Sequence, residues 1–138
     1  MNKSLILKQH IPYAQIIAKA LAFSETMLSQ SNTLYPYAVL SIDNDINCVF
    51  VPSDDQQASK GMIEELQEQI NERKLFAQNA VSLLVYSATV TRPDRSVSDA
   101  LIFTITDSQG QNTVTVYPFK RMQAKLKIYT PYTCDFSD

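Results

Sequence analysis

The sequence predicts an α+β fold: an antiparallel sheet of about five to six strands with two helices on one face, in the order α-β-β-α-β-β-β with one further strand at the end. Three observations carry this reading. Apolar residues recur at helical spacing in two separate segments, Tyr13 to Leu28 and Met62 to Ile70. From Ala80 onward the period changes to that of strands. Short clusters with turn chemistry separate the strand-like stretches.

In the first helix, Tyr13, Ile16, Ile17, Ala20, Leu21, Met27 and Leu28 share one face, with Leu21 as a core anchor. Pro12 suits its first turn. "SQSNT" ends it with residues that compete for the backbone, and "YPYAVLSI" follows as a strand opened by Pro36. The cluster Asp43-Asn44-Asp45 tolerates turn conformations and joins this strand to the next as a hairpin.

After Pro52, Ser53 and Gln56 have the spacing of a capping box, and Asp54 and Asp55 favour the positive end of a helix dipole. The second helix runs to about Arg73, with Met62, Ile63, Leu66 and Ile70 inward. Its stripe of Glu64, Glu65, Glu68 and Glu72 reads as a solvated face. "AVSLLVYSATVT", "DALIFTITD" and "NTVTVY" are then long antiparallel strands, with Gly110 supplying a positive φ in the second connection. Pro118 closes or bends the fifth strand, and "KLKIY" is the last β-prone stretch.

A chain of 138 residues with 45% hydrophobic content buries roughly two-thirds of its unfolded surface in one core, so residues 1–138 are expected to form a single domain. The net charge of -2 is spread along the chain, which argues against nucleic acid or an anionic membrane as partner. Lys8, Gln9 and His10 interrupt the first apolar run, and no run approaches the roughly 18 residues of a membrane span. Cys48 and Cys134 form no paired motif, so a reducing cytoplasm is the simplest setting.

The element order is similar to the roadblock and profilin-like arrangement. Over residues 34–120, the succession "YPYAVLSID", an acidic helix, a long strand and "SDALIFTITDSQGQNTVTVYPFK" also resembles a group of uncharacterised small bacterial proteins. That group shares a Tyr-Pro-aromatic strand and an Asp-Ala-aliphatic strand. Both resemblances imply a fold, and neither implies a catalytic residue.

Catalytic and cofactor chemistry finds little material. His10 is the one histidine, so an ordinary zinc site cannot be assembled, and no metal or other cofactor is expected. The two glycines, Gly61 and Gly110, make no phosphate-cradling loop. Asp43, Asn44 and Asp45 lack the glycine and glutamate of a calcium loop.

Three groups of binding candidates remain. Arg92, Asp94, Arg95 and Asp99 sit in a charged hairpin, where arginines offer planar donors for a carboxylate or a phosphate. The bland alternative is that these charges solubilise the loop and pair with each other. Lys125 and Lys127, near Lys120 and Arg121, either protect an edge strand or meet an acidic partner. The two aromatic-proline-aromatic triplets place Tyr35, Tyr37, Tyr117 and Phe119 either in the core or on a partner surface with Tyr129 and Tyr132. The flanks "AVLSID" and "KRMQAK" share no pattern, so the triplets do not mark a duplication.

The expected function is a small non-enzymatic protein-interaction module acting through a sheet edge or an aromatic surface, with a protein partner or a second copy. An immunity or inhibitor protein that neutralises a toxin is the alternative. An enzyme with a carboxylate- or tyrosine-based site ranks last.

Overall fold

In the computed structural model, which describes residues 3–31, 33–51, 59–75, 77, 79–92, 94–123 and 125–134, the first apolar stripe lies on a helix, α1, over Lys3–Gln30. The helix starts upstream of Pro12, contrary to the expectation that proline opens it. An internal proline removes one backbone hydrogen bond, and the straight-chain residues Leu5, Leu7, Lys8 and Gln9 favour helix on its far side. The buried stripe is Ile16, Ala20, Ser24 and Leu28, spaced four apart, while Leu21 is only half-buried at its flank.

Strands β1 (Tyr37–Ile42) and β2 (Asp45–Val49) form the expected hairpin. Its central residues Asp43 and Asn44 have φ of 49° and 74°, the double positive φ of a type I′ turn that aspartate and asparagine tolerate. Helix α2 (Ser59–Lys74) follows, with Met62, Leu66 and Ile70 buried. The capping box of Ser53 and Gln56, with Pro52, Asp54 and Asp55, lies outside the described residues.

The remaining strands are β3 (Ala80–Thr91), β4 (Val97–Thr106), β5 (Asn112–Met122), β6 (Lys125–Ile128) and β7 (Tyr132–Cys134). All pairings are antiparallel in the order β2-β1-β3-β4-β5-β6, with β7 also on β5. Gly110 has a φ of 84° in the β4–β5 turn.

Pro118 does not end β5, which continues to Met122. β6 pairs Phe119 with Ile128, whereas β7 pairs Val116 with Tyr132, so Tyr117 and Pro118 face Tyr129, Thr130 and Pro131. The outer strand thus carries one extra residue, a bulge. Tyr129 N donates to Pro118 O at 2.8 Å, so the donor that proline lacks would also point to this broken outer side. The β4 ladder loses nothing.

The helices lie on opposite faces of the sheet, which corrects the expectation that both share one. Odd-numbered residues of the central strands, among them Val39, Leu83, Val85, Leu101 and Phe103, pack with α1. Even-numbered Ala38, Leu40 and Leu84 pack with Met62, Leu66 and Ile70 of α2. The physical reason is that β1 and β3 are apolar on both sides, and both sides need a cover. Over β3, β4 and β5 the α2 side carries a third cluster, Ala100, Ile102 and Val116 with Tyr86, Ala88, Val90, Val114 and Tyr132, which contains no helical residue among those described. No described helix is long and apolar enough to cross a membrane.

Candidate functional site

The pairing of β6 with β5 sets Lys127 opposite Lys120 and Lys125 opposite Met122. Side chains alternate across a strand, and Leu126 and Ile128 pack into the α1 side. Lys120, Met122, Lys125 and Lys127 therefore occupy the other face, beside the helix-free cluster around Ile102. Like charges directly opposite each other on neighbouring strands are destabilising, so the Lys120–Lys127 pair works against the fold.

Arg92 follows β3 and its N–H donates to Ser96 O at 2.7 Å, which closes the hairpin to β4. Its guanidinium carbon lies 5.2 Å from the centroid of the Tyr129 ring, and the Lys127 ammonium lies 5.1 Å from the same centroid. Two of the groups read separately in the sequence, the charged hairpin and the basic strip, thus meet on one tyrosine. Each such contact contributes roughly 0.5–1 kcal/mol at an exposed site. On this face of β3, β4, β5 and β6 the described residues include no carboxylate.

The other hairpin charges are used differently. Asp94 Oδ1 accepts from Ser96 N at 2.9 Å and from Ser96 Oγ at 2.5 Å, and these bonds hold its carboxyl below the usual range. Asp94 therefore shapes the turn, in which Arg95 takes a φ of 71° and donates its N–H to Arg92 O at 2.8 Å. Asp99 faces the α1 side, where it lines a cleft of about 290 Å³ with Ser87, Thr89, Phe119 and Arg121 at the end of α1. Arg121 points the same way, its guanidinium donating to Leu28 O and, at 2.9 Å, to Ser31 O. A cation at a helix C-terminus satisfies free carbonyls and the dipole together.

The expected aromatic surface is not assembled. Tyr37, Tyr117 and Phe119 are buried, because their odd positions turn them toward α1, and Tyr35 alone of that set is exposed. The Tyr37 hydroxyl donates to Ala20 O at 2.8 Å and accepts from Ser24 Oγ at 2.7 Å. Burial pushes its pKa far up, with the Ser24 bond opposing in part. Tyr117 packs on Phe103 at 4.8 Å between centroids.

Tyr129 is the residue that sequence reasoning placed at the margin and the structure places at the centre. Its position two residues after Lys127, at the end of an alternating run, was the available signal. Among the described residues no group of three or more His, Cys, Asp or Glu is arranged to hold a metal ion. Comparison with protein-family models, with curated proteins and with solved structures finds no match to this chain.

Proposed function

We propose that this protein is an interaction module that captures an acidic protein partner on the corner formed by Arg92, Lys120, Lys125, Lys127 and Tyr129. The observation that carries the reading is the Tyr129 ring held by both Arg92 and Lys127, which joins two basic segments into one surface. Cations packed on an aromatic ring lose less conformational freedom on binding than free side chains do. The half-buried Tyr86, Val90, Val114 and Tyr132, which pack on the buried Ile102 and Val116, adjoin them, so a partner finds apolar surface beside the charges.

A partner carboxylate placed between Lys120 and Lys127 relieves their repulsion, so the cost to the free fold is returned on binding. The inhibitor reading fits the same surface when the toxin presents an acidic face. A reducing cytoplasm suits Cys48, which is free. The test is capture of acidic proteins by the immobilised chain, with retention that falls as salt rises and that is lost when Lys120 and Lys127 are both changed to Glu.

A further inference from the structure

The two edges of the sheet are built differently. The β6–β7 edge carries Lys125, Lys127, a bulge and Pro131, each of which obstructs the addition of another strand. The other edge, β2, reads "DINCV" over Asp45–Val49 and has a single charge, Asp45, at its end. Among the described residues no strand pairs with its outer side.

Which groups of β2 face outward follows from the ladder. Asp43 N donates to Asn79 O at 2.9 Å, continuing the pairing of Ile42 with Ala80. Odd-numbered residues of β1 therefore bond toward β3, and even-numbered ones toward β2. Their β2 partners are Asp45, Asn47 and Val49, which leaves Ile46 and Cys48 with N–H and C=O directed outward.

We propose that β2 pairs antiparallel with the β2 of a second copy of this chain, with Asn47 opposite Asn47 of the partner subunit on a two-fold axis. This register sets Ile46 against Cys48 of the partner subunit, so both outward-facing residues of each copy exchange backbone bonds. Centring the axis on Ile46 or on Cys48 would instead set one outward-facing residue of β2 against the partner's Asn44 or the partner's Phe50, both outside the strand. Ile46 and Cys48 are half-buried apolar side chains on the α1 side, so apolar groups meet across the axis there. On the opposite side Asp45 meets Val49 of the partner subunit, and no like charges are opposed. The sheet then runs unbroken through both copies, with β6 and its basic corner at each far end. The pairing stands independently of what that corner binds.

Asn47 is exposed, so its side chain can be changed without touching the core. The test is light scattering of the full chain over a range of concentrations, for the wild type, Asn47→Lys, Asn47→Asp and an equimolar mixture of the two variants. The wild type is expected to approach twice the monomer mass as concentration rises. Each variant alone places like charges directly opposite and weakens the dimer several-fold, while the mixture pairs Lys with Asp and restores it. Thermal unfolding of the dilute variants should match that of the wild type. A wild type that stays monomeric throughout, a dimer that neither variant weakens, or a mixture that stays as weak as its components would each overturn the proposal.

Discussion

The guanidinium carbon of Arg92 lies 5.2 Å from the centre of the Tyr129 ring, so the β3–β4 hairpin is fastened across β4 and β5 to the outer edge of the sheet. Lys127 approaches the same ring at 5.1 Å. Replacing Tyr129 by Leu retains an apolar side chain and removes the aromatic face. The expected loss is about 1–2 kcal/mol in urea unfolding, the sum of two partly exposed cation–π contacts. An unchanged midpoint would mean that neither cation is held by the ring.

Core burial separates two leucines that look equivalent in sequence. Leu66 on α2 is fully enclosed, and Leu66→Ala is expected to cost about 2–5 kcal/mol. Leu21 sits half-buried at the flank of α1, and its change to Ala should cost clearly less. Equal losses in the two variants would place the inward face of α1 elsewhere.

Tyr37 gives the fold a pH dependence with a definite sign. Burial raises its pKa far above the ordinary tyrosine value, and burial also raises Tyr117 and Tyr13, the latter with help from Asp107. Above about pH 10 the unfolded chain releases these protons before the folded one. Their contribution is therefore complete below about pH 10 and is lost as pH climbs beyond it. Lys74, lowered by burial against an opposing effect of Asp107, acts in the other direction. Comparing the wild type with Tyr37→Phe isolates the phenol. The variant should be about 1–3 kcal/mol less stable at neutral pH, toward the low end because Ser24 can turn to Ala20 O, and the gap should close in alkali. A gap that is constant from about pH 8 to pH 11 would contradict a buried, neutral Tyr37.

Much of this architecture was legible in the sequence, for reasons tied to particular residues. The helical period around Leu66, the alternation in "DALIFTITD" and the turn chemistry of Asp43 and Asn44 are local, and each appears in the fold as expected. The placement of the helices on opposite faces was also encoded, in strands such as "YAVLSI" that are apolar on both sides, but it requires asking what covers the second side.

The candidate site was less legible because it depends on long-range register. Nothing local tells that Lys127 falls opposite Lys120, or that Arg92 reaches Tyr129. Odd positions turned Tyr37, Tyr117 and Phe119 into the core, while the β5–β6 register, which pairs even with odd positions, brought Lys120, Lys125 and Lys127 together on the open face. That parity decides which residues a partner can reach.

The central claim is that the basic corner holds an acidic protein, and side-by-side capture tests it most directly. Immobilised wild type and the Arg92→Glu/Lys127→Glu variant would be exposed to the same cell extract at low salt. Both charges are peripheral to the core; the variant loses the ring contacts, about 1–2 kcal/mol, and Lys127→Glu offsets part of that loss by turning the repulsion from Lys120 into an attraction. The account predicts that the wild type retains an acidic protein which salt releases, and that the variant retains none of it. A folded variant that holds the same protein as tightly as the wild type would contradict the account.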